Sequence, residues 1–193
     1  MLKRFYGFSR RPSSAMQSNG RGLGIWLLLA VSFLSGSVLR LALSAESIEF
    51  VPVDPSHESL LMSFLESLFV PALLFLASTS LLGVCAAPMC LAFLGYWITG
   101  ASFSVFFRYP DCGWMFVFAS VGLSALISLP CIFYLGADAI RSSFLLLQNT
   151  PRISRISGPV LFLKHFLLFL PLFLASSAVD TAFMPYLIGL MID

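Results

Sequence analysis

Charge is what this sequence has least of. Only 10% of its 193 residues are Asp, Glu, Lys or Arg, while 59% are hydrophobic. A soluble domain carries about 25% charged residues. This chain lacks the polar atoms to cover a surface in water, which excludes a soluble globular domain and makes it an integral membrane protein. Histidine is equally scarce, with two in the chain. No H-E-x-x-H occurs, which excludes a zinc intramembrane protease; no G-x-S-G or G-x-S-x-G occurs, and neither histidine stands near a candidate serine. The four cysteines, at 85, 90, 112 and 131, form no C-x-x-C pair; they read as small hydrophobes rather than metal or redox ligands. There is no Gly-rich phosphate loop, no basic–aromatic surface for nucleic acid and no internal repeat. No catalytic residue, cofactor or metal ligand is expected.

What the chain has instead is long apolar runs. Gly22 to Leu39 holds eighteen residues without charge, enough to cross a hydrocarbon core of ~30 Å. The basic stretch before it and Ala42-Leu43-Ser44 after it also suit a cleaved signal, but the run exceeds a signal core and reads as a retained anchor. Ser67 to Phe107 is forty-one residues without charge or histidine. As one helix it would be ~60 Å long, so it must be two spans. Gly83 to Pro88 carries the breakers and is the expected turn. A fourth span follows from Cys112, with Pro130 a kink, and a fifth lies near the C-terminus. The expected architecture is an all-α bundle of about five transmembrane helices, with spans at 22–43, 67–84, 87–107, 113–140 and 160–190. Residues 1–21 form a basic cytoplasmic tail and 22–192 a single transmembrane domain. Residues 44–66 form an outer loop and 141–159 a cytoplasmic one.

With the N-terminus cytoplasmic and the C-terminus outside, nine of the eleven basic residues fall on the inner side, and only Arg40 and Arg108 do not. The positive-inside bias supports that orientation. The outer side is acidic. The basic tail, with Phe5, Tyr6 and Phe8, either lies on anionic lipid or serves only to orient the chain. In the outer loop Asp54-Pro55 reads as a helix start, and the amphipathic stretch after it carries Glu58 and Glu66. Those two are the partner-binding candidates if the loop is more than an interfacial connector.

Two aspartates stand apart. Asp180 follows fourteen uncharged residues, Phe166 to Val179, and Asp138 lies just before Arg141. An intramembrane aspartyl protease carries such a pair on two spans. Asp180 lies ~24 Å past Lys164 along a helix, however, and carboxylates that share a proton lie within a few ångströms of each other. A dyad is therefore not expected. An ionised group at such depth needs a partner or a path to water. Arg40, at similar depth in the first span, is the expected partner of Asp180 and Arg108 the second choice; otherwise Asp180 reaches the outer headgroups. His165 reads as interfacial. Gly83, Gly95, Gly100, Gly122 and Gly136 read as close-packing positions between helices.

The layout resembles the stage II sporulation protein M family over nearly the whole chain: a basic start, one span, a polar outer loop and four further spans. Val179, Asp180 and Pro185 are similar to the family's closing motif, with Phe183 one residue off its aromatic position. Ser124 to Gly136, with Leu129-Pro130, is similar to its fourth-span stretch. Ser80 to Gly83 with Pro88 and Gly100 resembles its Gly/Pro-punctuated second and third spans. Asp at 180 replaces the family's Glu. The resemblance implies a bacterial, multi-pass cell-membrane scaffold, not an enzyme. Such a scaffold recruits peptidoglycan hydrolases and other membrane-anchored sporulation proteins to the septum for forespore engulfment. The competing expectation is a transporter or permease subunit, in which Asp180, Arg40 and Asp138 would line a polar path.

Overall fold

The computed structural model describes residues 14–44, 60–108, 113–147, 152–183 and 186. The described residues are helical apart from one tight turn: α1 (Ser14–Ser44), α2 (Leu60–Ser78), α3 (Gly83–Arg108), α4 (Gly113–Val117), α5 (Leu123–Leu147) and α6 (Arg152–Ala178). A π-helical segment at Phe118–Gly122 joins α4 to α5, and a second, Val179–Phe183, extends α6. Five stretches are long and apolar enough to cross a membrane: Gly22–Leu43, Leu60–Ser78, Gly83–Phe107, Leu123–Leu147 and Pro159–Ala182. The protein is thus a helical membrane protein with the expected number of candidate spans.

α1 begins at Ser14, inside the expected tail of residues 1–21, and the helix bounds differ from expectation in three further places. The α2–α3 turn is at 79–82, not 83–88. Hydroxyls close the end of α2: Ser78 donates to Phe75 O at 2.7 Å and Thr79 to Leu76 O at 2.7 Å, while Ser80 N–H reaches Ala77 O at 3.1 Å. These bonds satisfy carbonyls that a helix end leaves open. Gly83 and Pro88 then fall in the opening turns of α3. Second, α2 starts at Leu60, so residues 60–66, assigned to the end of the outer loop, belong to the span helix. Third, α5 runs past Arg141 to Leu147 and α6 begins at Arg152. The expected cytoplasmic loop is therefore mostly helix, since charge ends an apolar run but not a helix.

α5 is the central helix: 50% of its span is buried, against 11% for α1 and α3. It packs mainly on α6, and also on α3, α2 and, more sparsely, α1; α1 lies chiefly along α3. Leu29, Leu74, Leu91, Leu135, Phe162 and Phe173 form the fully buried core. Gly36 and Gly95 bring α1 and α3 together, because a side chain at 36 would collide with the backbone of Ala92, and one at 95 with Phe33 O. In lipid this small-residue contact replaces the hydrophobic drive as the source of helix association. Ser143, fully buried on α5, holds the α2–α3 turn, its hydroxyl 2.9 Å from Ser80 O and 3.4 Å from Ala77 O.

These contacts also sort the helix ends. Gly22, the 79–82 turn, Arg141, Ser143 and His165 gather at one end. Arg40 with Gly100, Ser67 with Ser177, and Ser124 with Ser176 gather at the other. The five long helices therefore alternate in direction.

Candidate functional site

The most buried ionisable group described is Asp138, whose side chain is 5% exposed. It lies well inside α5 rather than at its end. Positions 134, 138 and 141 are spaced i, i+4 and i+7, which places Tyr134, Asp138 and Arg141 on one face of the helix. On the facing helix α6, Phe162, His165, Phe169 and Phe173 follow the same kind of spacing. The two faces meet at Asp138. His165 Nδ1 lies 2.6 Å from Asp138 Oδ2, and Arg141 Nη1 lies 3.6 Å from Oδ1. The Tyr134 ring stands edge-on to the imidazole with centroids 5.1 Å apart, and it also meets Phe169 at 5.5 Å and Trp26 at 6.4 Å.

The 2.6 Å separation is that of a charge-assisted hydrogen bond. Arginine is always cationic, so an ionised Asp138 balances Arg141 and a neutral His165 leaves the three groups without net charge. In that state Nδ1–H donates to the carboxylate, which fixes the tautomer and leaves Nε2 bare. The arrangement joins α5 to α6 and orients an imidazole. Among the described residues no three His, Cys, Asp or Glu side chains stand close enough to hold a metal ion. Cys85, Cys90 and Cys131 are free thiols, with Cys131 buried in the core.

Asp180 lies in the second π segment. It is fifteen residues past His165, or ~22 Å along a helix, so the structure does not bring the two aspartates together. Around it hydroxyls bridge helices: Ser176 donates to Ser124 O at 3.2 Å, Ser177 reaches Ser67 Oγ at 3.3 Å, and Thr181 donates to Ser177 O at 2.9 Å. Arg40, its expected partner, donates from Nη1 to the Tyr96 hydroxyl at 2.9 Å, with the guanidinium carbon 5.0 Å from that ring's centroid. Gly100 makes room for it, since a Cβ there would stand 3.0 Å from Arg40 Nε. Arg40 therefore sits on α3, whereas the segment holding Asp180 packs against α2 and α5. The side chain of Arg108, and the whole of Pro185 and Glu58, lie outside the described residues; Glu66 is exposed on α2.

Pro130 is exposed on α5 and lines an apolar groove of about 460 Å³ with Trp26 of α1 and Gly122, Ala125, Leu126, Leu129 and Phe133. His165 is the residue that the sequence reading missed. Its neighbour Lys164 marked it as interfacial, and the only available signal was that Asp138 and His165 both lie near the connection between spans four and five. No protein-family model, curated protein or solved structure matches the chain.

Proposed function

We propose that this protein is a non-catalytic scaffold in a bacterial cell membrane. On this reading the end bearing Gly22, Arg141 and Lys164 faces the cytoplasm and the end bearing Arg40 and Asp180 faces outward. The observation that carries it is the engagement of Asp138. The most buried ionisable group described is used up in joining α5 to α6, and the described groove is lined by apolar side chains. A polar path across the bundle would need such groups turned toward a cavity. The alternation of helix direction places the basic residues Arg21, Arg141 and Lys164 at one end, in keeping with the charge bias of the sequence.

The partner class comes from the motifs around Asp180, Pro130 and Gly100 that resemble the stage II sporulation protein M family. It consists of peptidoglycan hydrolases and membrane-anchored sporulation proteins reached from the outer end, where Glu66 is exposed. The test is affinity isolation of the tagged chain from sporulating cells, alongside a deletion strain. The scaffold reading expects wall hydrolases to co-purify and engulfment to stall; normal engulfment overturns the sporulation role. The alternative, a transporter subunit, draws on the hydroxyls of Ser67, Ser124, Ser176 and Ser177 beside the second π segment. π segments recur at functional sites. Solute or ion flux into liposomes carrying the purified chain would favour that alternative over the scaffold.

A further inference from the structure

We propose that the cleft between α1 and α5 binds one anionic phospholipid, with its phosphate on the Arg141 guanidinium and an acyl chain in the groove beyond. Arg141 lies beside the start of α1, on the side of Trp26 away from the groove, and its side chain is 46% exposed. Nη1 is held toward Asp138 Oδ1, and the other oxygen of that carboxylate is engaged by His165 at 2.6 Å. Nη2 points the other way, toward the start of α1, where a Cβ on Gly22 would lie 3.9 Å from it. The guanidinium is thus fixed in place by one edge and presents the other. A planar fork of N–H donors matches phosphate oxygens in pairs, which a point charge does not.

One helical turn along α1 from Gly22, Trp26 stands against Tyr134. Such rings favour the boundary between headgroups and hydrocarbon. Beyond Trp26 the groove opens along Phe133, Pro130, Leu129 and Ala125, and it presents no polar surface. Phe133 is eight residues from Arg141, ~12 Å along α5, which lies within one leaflet's half of a ~30 Å hydrocarbon core. A lipid whose phosphate rests on Arg141 therefore carries its chain into the near end of the groove. The cleft stays open because α1 follows α3 and meets α5 only sparsely. The cation selects the headgroup: Arg21 precedes Gly22 in the sequence, so a second positive charge belongs to this end of α1. A net anionic lipid adds a negative charge at this basic end, whereas a choline headgroup brings a cation of its own.

The test is native mass spectrometry of the full chain in detergent, titrated with phosphatidylglycerol or phosphatidylcholine. The wild-type chain is expected to retain phosphatidylglycerol in preference to phosphatidylcholine. Arg141→Gln should reduce that preference about fivefold, the share of one basic side chain at an anionic surface. Lys164→Gln, at the same end but on α6, should leave it unchanged. Phe133→Trp, which narrows the near end of the groove, should lower the retention of both lipids and spare the headgroup preference; its reading does not depend on how well the Arg141 variant folds. Equal retention of the two lipids by the wild type overturns the proposal. So does an equal loss in the Arg141 and Lys164 variants, which would mean a diffuse cationic surface. Undiminished retention in Phe133→Trp overturns the place assigned to the chain, and would leave the groove to a partner helix.

Discussion

Asp138 concentrates the electrostatic risk of the bundle in one side chain. Desolvating a carboxylate costs several kcal/mol, which is offset only where partners supply both charge and hydrogen bonds. His165 and Arg141 do so here, at 2.6 Å and 3.6 Å. Removing the acid strands the imidazole of His165 at the α5–α6 seam, whereas removing the acid and the imidazole together strands neither partner, because the half-exposed Arg141 can reach headgroups. Asp138→Leu is therefore expected to destabilise the bundle by about 1–3 kcal/mol, the cost of an unsatisfied buried donor, and the double variant Asp138→Leu/His165→Phe to recover most of that loss. Thermal unfolding of the purified variants in one detergent measures the cycle. Additive losses would mean that the two side chains act independently.

Among the helices, closeness of approach depends on glycine at a few positions. Gly36 and Gly95 sit where α1 and α3 touch backbone to backbone, while Gly24, on the same helix, has nothing within 4 Å of where its Cβ would be. Gly36→Ala should destabilise by about 1–3 kcal/mol, the usual cost of overpacking. Gly24→Ala should be neutral or stabilise by up to ~1 kcal/mol through lost chain entropy. The pair can be compared by resistance to unfolding in SDS; matching effects would remove the special role of the α1–α3 contact. Gly83 belongs to the same class, since a Cβ there would meet Ser143 Oγ and Ala77 O. Gly83→Ala should loosen the α2–α3 turn and raise its proteolytic sensitivity.

Among the described residues the five long helices alternate in direction, four of them packed around α5, and insertion direction is the prediction that belongs to the scale of the whole molecule. In a chain stripped of its native cysteines, Ser80→Cys in the α2–α3 turn should label with membrane-impermeant maleimide only after the cells are opened. Ser56→Cys, between the first two long helices, should label in intact cells. The opposite pattern would invert the orientation and place the acidic side inward.

Much of this was legible in the residues. The number of spans follows from run length, because a helix of fixed rise has to match a bilayer of fixed thickness. The improbability of an aspartate dyad followed from the same arithmetic, and His165 beside Asp138 fixes the depth from which Asp180 is ~22 Å removed. The turn at 79–82 was misplaced because Ser78, Thr79 and Ser80 close α2 through hydroxyl bonds, a weaker signature than the Gly83 and Pro88 nearby. His165, Gly36 and Ser143 were missed for another reason. In water an amphipathic stripe tells which face of a helix turns inward. In a membrane both the core and the lipid are apolar, so the stripe fades and composition carries little record of rotation.

Run lengths and charge placement by themselves determined that the chain belongs in a bilayer, how many times it can cross and which residues would be costly there. Only the packing of the helices decided which face of α6 meets α5, and so that Asp138 is held by His165 while Arg40 rests on Tyr96. Hydrophobicity sets how deep a segment lies, but the rotation of each helix about its own axis is fixed by side-chain fit against neighbours far away in the sequence.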